Sequence, residues 1–247
     1  MKPSTEKFKE EILSLIASFG KEPDLRERSE EGGLTVEGGK RFVLERNWFN
    51  RSWPRWLASI VANCPHKDVN RYLISNMYEE GVCDARVGTD HNDLLMRLGE
   101  AVGLTRQEIH DYPASPVTVA ATSYWENVAR TRPWLEAFAT FACLEIRTSR
   151  QAMGPHYQGR RTRSSDAWAK LRVPPEALET FTNHEAADED HGYEALALLL
   201  KYADSEQSQE RIRHAIRESL TVERMFKNNI GNLMQNAGGS DGKVAQA

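Results

Sequence analysis

The stretch Phe181-Thr182-Asn183-His184-Glu185-Ala186-Ala187-Asp188-Glu189-Asp190-His191 decides how this chain is read. His184, Asp188 and His191 stand at i, i+4 and i+7. At about 100° per residue, this spacing lines them along one stripe of a helix. Working outward, the stripe continues through Leu178 and Phe181 on one side and Ala195 and Leu198 on the other. A helix turns its apolar stripe toward the core, so two imidazoles and a carboxylate are expected inside. Buried polar groups need partners, and a metal ion would satisfy all three.

Further ligands are therefore sought elsewhere in the chain. Glu145 is the only charged side chain in Phe138-Ala139-Thr140-Phe141-Ala142-Cys143-Leu144-Glu145-Ile146. A lone carboxylate in such a helix has its pKa raised, pairs with a cation such as Arg147 or Arg150, or binds a metal. A third source is Asn76-Met77-Tyr78-Glu79-Glu80-Gly81, followed closely by His91-Asn92-Asp93-Leu94-Leu95. Glu80 at the end of one helix and His91 at the start of the next can aim at one point, with Glu79 and Asp84 as competing acids. Glu80, Glu145 and Asp188 with His91, His184 and His191 make a mixed oxygen and nitrogen donor set without thiolate. Such a set suits iron or manganese better than a structural zinc. Six ligands exceed what one open catalytic metal needs and suit a carboxylate-bridged pair in a helical core.

Composition bounds the rest. The chain has 247 residues, 40% of them hydrophobic, and a formal net charge of -4. That argues against nucleic-acid binding, which wants a basic stripe. No apolar run approaches the ~18 residues of a membrane span, and the first residues lack the apolar core of a signal peptide. Cys64, Cys83 and Cys143 are scattered, so a cytoplasmic protein without disulfides is expected.

Helical periodicity dominates and no alternating strand run is found. The sequence predicts an all-α bundle in a single domain over 1–237, with a disordered tail over 238–247. Within it, Lys21 to Gly33 reads as a polar linker and Val82 to Asp90 as a connection. One helix is expected from Pro133 to Met153, and Gln158 to Ser165 reads as a basic loop. Pro174-Pro175 is expected to open the helix of the His184 triad, and a last long helix to run from about Glu206 to Gln235.

These residues resemble the heme-oxygenase-like diiron oxidases and oxygenases, within the wider TenA/PqqC-like superfamily. The resemblance runs from about Leu34 to Leu200. It is carried by Gly33-Leu34-Thr35, Trp53-Pro54-Arg55-Trp56-Leu57-Ala58-Ser59-Ile60, the Asn76 to Glu80 and His91 to Leu94 segments, and His184-x-x-x-Asp188-x-x-His191. It implies that Glu80 rather than Glu79 is the first acid, and that Glu80, His91, Glu145, His184, Asp188 and His191 hold two iron ions that react with O2. Chlamydial members make 4-aminobenzoate by consuming one of their own tyrosines with help from a lysine. Here Arg26 stands at the tyrosine position and Pro155 at the lysine position, which implies an external substrate.

The expectation is a non-heme diiron oxidase or oxygenase acting on a small carboxylate-bearing substrate, amino-acid-like or fatty-acid-like. N-oxygenation, desaturation and C–C cleavage are the outcomes the resemblance implies. Arg46, Arg51, Arg147 and Arg150 are candidate carboxylate clamps. Trp48, Phe49, Trp53 and Trp56 are either pocket walls or ordinary core. An external electron donor and a homodimer are further expectations from the resemblance. The rivals are a metal-independent enzyme of the same shape, thiaminase-like or quinone-forming, and a helical interaction protein.

Overall fold

The computed structural model describes the backbone of residues 5–158 and 160–238, and their side chains apart from 160–163 and 182–188. The disordered tail expected over 238–247 lies outside the described residues from 239 onward. The chain opens with α1 (Thr5–Ser18), α2 (Leu25–Glu31), α3 (Val36–Asn50), α4 (Trp53–Asn63) and α5 (Lys67–Gly81). The middle comprises α6 (His91–Ala101), α7 (Arg106–Asp111), α8 (Pro116–Thr131), α9 (Trp134–Ile146) and α10 (Arg150–Met153). It closes with α11 (Arg160–Ala169), α12 (Glu179–Tyr202) and α13 (Glu206–Gly238). Among the described residues the only extended pairing is a single bridge between Asp84 and Thr89.

The helix starts follow from capping chemistry. Thr35, Asp90, Thr105 and Ser115 each accept a backbone N–H from the first turn they precede, satisfying a donor that has no partner within its helix. Pro116 opens α8 at a position where its missing N–H costs nothing.

Four expectations are corrected. The linker over Lys21 to Gly33 contains α2, started by a reciprocal capping box between Asp24 and Glu27. Its buried face consists of Arg26, Glu27 and Glu30, so it shows no apolar period. The basic loop begins α11 instead, anchored by buried Ala167 and Trp168. The helix expected over Pro133 to Met153 breaks after Ile146, and Ser149 caps the short α10. A 3-10 turn over Pro175–Leu178 separates the prolines from α12.

The long α13 packs against α2, α3, α8 and α9, while α12 lies on α9 and touches α5 and α6. The aromatic centre is Phe49, Trp53, Trp56, Trp125, Phe141 and Phe226, with ring centroids 5.1–6.3 Å apart, several of them edge to face. Phe49, Trp53 and Trp56 are buried here as core. Trp48 is tied instead to the Tyr112 carbonyl at 3.0 Å. Cys64 and Cys143 are buried, Cys83 is half-buried, and all three are free thiols. Among the described residues no helix is long and apolar enough to cross a membrane.

Candidate metal centre

Four of the six predicted ligands have described side chains, and all four are buried: Glu80, His91, Glu145 and His191. They come from α5, α6, α9 and α12, which meet along the α12 face. His91, fully buried at the first turn of α6, places Nδ1 2.9 Å from Glu80 Oε1. His191 Nδ1 lies 4.0 Å from Glu145 Oε2. Two imidazole–carboxylate pairs therefore face one region, and Glu80 also acts electrostatically on His191. The side chains of His184 and Asp188 lie outside the described residues. Among the described residues no three His, Cys, Asp or Glu side chains gather into a site for one ion.

The pair on α9 and α12 meets because the helices approach closely. Gly192 follows His191, and a Cβ there would stand 2.5 Å from Ser149 Cβ and 2.7 Å from the Glu145 carbonyl oxygen. One turn along, Glu189 accepts the backbone N–H groups of Arg150 at 2.9 Å and Gln151 at 2.8 Å. It thereby docks α12 on the N-terminus of α10, where a carboxylate is favoured.

The competing acids occupy the other faces of the rings. Asp84 Oδ2 is 2.9 Å from His91 Nε2, and Glu79 Oε2 is 3.1 Å from His191 Nε2. Trp53 Nε1 donates to Asn76 Oδ1 at 3.0 Å. An indole only donates, so this contact turns the Asn76 amide nitrogen toward His191 Nδ1, 3.2 Å away. Burial opposes protonation of His91, but the charge of Glu80 and the hydrogen bonds to Glu80 and Asp84 outweigh it and raise its pKa to about 9. His191 is likewise raised to about 9, where burial is outweighed by Glu79, Glu145 and Glu80. Burial pushes Asp84 up, but Arg86 and His91 hold it below the usual carboxylate range.

A cavity of about 140 Å3 opens among α3, α6, α12 and α13, and none of the four described ligands lines it. Its wall includes Leu95, Thr148 and Thr180, each three or four residues along the chain from a predicted ligand: His91, Glu145 and His184. The charged lining is rich in cations: Arg26, Arg46, Arg147, Arg224 and Lys227 against Asp24 and Glu223. Lys227 Nζ is 3.1 Å from Glu223 Oε1 and 3.9 Å from Asp24 Oδ2, and Arg147 also pairs with Glu223. Burial, with Arg147 and Arg26 nearby, lowers Lys227 to about 7 despite Glu223 and Asp24.

Of the four arginines singled out in the sequence, Arg46 and Arg147 reach this cavity. Arg51 stacks on Trp48 at 3.8 Å and Arg150 on Tyr157 at 5.3 Å. Trp48, Phe49, Trp53 and Trp56 do not line it; Phe49, Trp53 and Trp56 are core, and half-buried Trp48 packs under Arg51. Sequence reasoning gave Lys227 and Glu223 no role. Their signal was present, because both interrupt the stripe Ile216, Leu220, Phe226, Ile230 of α13 as Glu145 interrupts α9. Arg26, on the α2 helix that periodicity missed, also lines the cavity.

Known proteins agree with this architecture. A family model described as iron-containing redox enzyme matches residues 40–224. A pyrroloquinoline-quinone synthase of Cronobacter sakazakii is 27% identical over 197 residues, covering 77% of this chain and 72% of that one. The protein of the same name from Pseudomonas syringae pv. tomato is 26% identical over 199 residues, covering 78% and 73%. A Shewanella denitrificans domain of unknown function with a heme oxygenase-like fold superposes with a TM-score of 0.75 at 12% identity, covering 99% of each chain. A CADD-like protein of unknown function from Nostoc punctiforme gives a TM-score of 0.70 at 11% identity, covering 92% of this chain and 97% of that one. By fold and by sequence, the chain belongs to the iron-containing redox enzyme family of heme-oxygenase-like helical proteins.

Proposed function

We propose that this protein is a non-heme diiron oxidase or oxygenase that uses O2 to oxidise a small carboxylate-bearing substrate held in the cavity. The reading is supported by two buried imidazole–carboxylate pairs, Glu80–His91 and Glu145–His191, on helices that pack together, and by a cation-lined cavity in the same bundle. The donors fit the group: imidazole and carboxylate, no thiolate, all buried. Glu80, His91, Glu145 and His191 would hold the irons, with His184 and Asp188 completing the set from α12. Bound iron supplies the capacity to react with O2, which no side chain of this chain has by itself.

The remaining work falls to the protein. Arg46, Arg147 and Lys227 present positive charge to a substrate carboxylate, and a guanidinium can take it in bidentate fashion. Phe42, Phe181 and Phe226 supply apolar wall and limit water. Glu223, shared by Arg147 and Lys227, keeps both cations in place before the substrate arrives. Anaerobic Fe(II) titration with metal analysis tests the reading. Two irons per chain and O2 uptake on exposure to air are expected, and uptake that persists undiminished after chelation defeats it.

A second reading follows from the curated relatives. The pyrroloquinoline-quinone synthases suggest a metal-independent, quinone-forming oxidase of the same helical shape. Oxygen consumption in chelator-treated protein separates the two.

A further inference from the structure

The connection between α5 and α6 is a folded turn. Asp84 N–H donates to the Thr89 carbonyl at 2.8 Å, and Gly88 N–H returns to the Asp84 carbonyl at 2.8 Å. Gly88 sits at φ +70°, which glycine adopts without steric cost. The turn delivers buried Asp84 onto His91 Nε2 at 2.9 Å, while Glu79 reaches His191 Nε2 at 3.1 Å. One residue holds both acids. Arg86 donates to Asp84 Oδ1 from Nε and from its backbone N–H, each at 2.9 Å, and its Nη2 donates to Glu79. Its other terminal nitrogen lies 3.8 Å from Asp190, next to His191.

The geometry points to Arg86 as a positioning residue that, through Asp84 and Glu79, fixes the ring orientation of both histidine ligands. This rests on the diiron reading. A metal-bound imidazole works best when its outer N–H donates to a carboxylate, which sets the tautomer and raises the basicity of the inner nitrogen. Here each Nε2 has such a carboxylate; His91 Nδ1 faces Glu80 at 2.9 Å, and His191 Nδ1 has the Asn76 amide at 3.2 Å and Glu145 at 4.0 Å. A planar guanidinium spans two carboxylates at fixed angles, so one side chain couples the two rings. Asp84 and Glu79 thus support the site without entering it.

The test compares the full-length protein with Arg86→Gln and Arg86→Lys. Three measurements are made: Fe(II) affinity by chelator competition, the visible spectrum with Co(II), and the imidazole 15N resonances of the metal-free protein. Arg86 is partly exposed on a turn, and the far-UV circular dichroism of Arg86→Gln should match the wild type. Its Fe(II) affinity should fall roughly 10- to 100-fold, with altered Co(II) bands and loss of the slowly exchanging Nε2–H signals. Arg86→Lys, which keeps the charge but not the fork, should recover affinity only in part. Unchanged affinity and spectra in Arg86→Gln would overturn the inference while leaving the diiron reading intact. If the wild type takes up neither metal, the diiron reading fails, and the 15N signals still decide whether Arg86 orients the rings.

Discussion

Gly192 on α12 lies against the backbone of Glu145 on α9, so close that a Cβ at Gly192 would stand 2.7 Å from the Glu145 carbonyl oxygen. The neighbour in the way is backbone, which cannot rotate aside. Gly192→Ala should force the helices apart and cost about 1–3 kcal/mol, as overpacking does. It should also reduce bound iron, because Glu145 and His191 flank the contact. Urea denaturation and metal analysis check both, and full iron content in the variant would contradict the assignment.

Removing single ligands should lower iron content stepwise. Glu145→Ala and His191→Ala are expected to hold fewer than two irons per chain and to lose O2 uptake. His184→Ala and Asp188→Ala should behave alike if α12 completes the site. Wild-type iron content in either of the last two would remove that residue from the set.

His91 makes the metal-free protein sensitive to pH. Its folded pKa is raised to about 9, against an ordinary 6.5. Its contribution to stability is therefore fully present below about 6.5 and is lost as pH rises through about 9. Lys227 is lowered and acts in the opposite sense, so wild type alone would not isolate the effect. The gap in urea midpoint between chelator-treated wild type and His91→Gln should narrow from pH 6.5 to 9. A gap that widens over this range would show the sign to be wrong.

Lys227 should matter for substrate more than for iron. It is buried beside Glu223 and Asp24 in the cavity wall. Removing one partner of a buried ion pair costs about 3–5 kcal/mol, so Lys227→Gln should melt lower. The wild type should be stabilised against heat by small amino acids or fatty acids that fit the cavity, and the variant should lose that shift while keeping its iron. An equal shift in both would place the carboxylate elsewhere.

The reasons the sequence succeeded are local. Helix starts depend on a residue and the three that follow it, so caps such as Thr35 and Thr105 are written in local sequence. Glu145 and His191 were visible because a polar group interrupting an apolar stripe shows in one dimension. The same rule failed for α2, whose buried face is Arg26, Glu27 and Glu30. A helix that buries charge against charge has no apolar period to detect.

What the amino-acid order alone determined was the helical class and the polar breaks in α9 and α12. What only the tertiary structure decided was partnership. It showed that Glu80 faces His91 Nδ1 while Asp84 takes Nε2, that Glu79 belongs to His191, and that Arg46 and Arg147 rather than Arg51 and Arg150 reach the cavity. Periodicity assigns a side chain to a face of its own helix. Which neighbour meets that face depends on how helices far apart in sequence pack, and no local spacing encodes that distance.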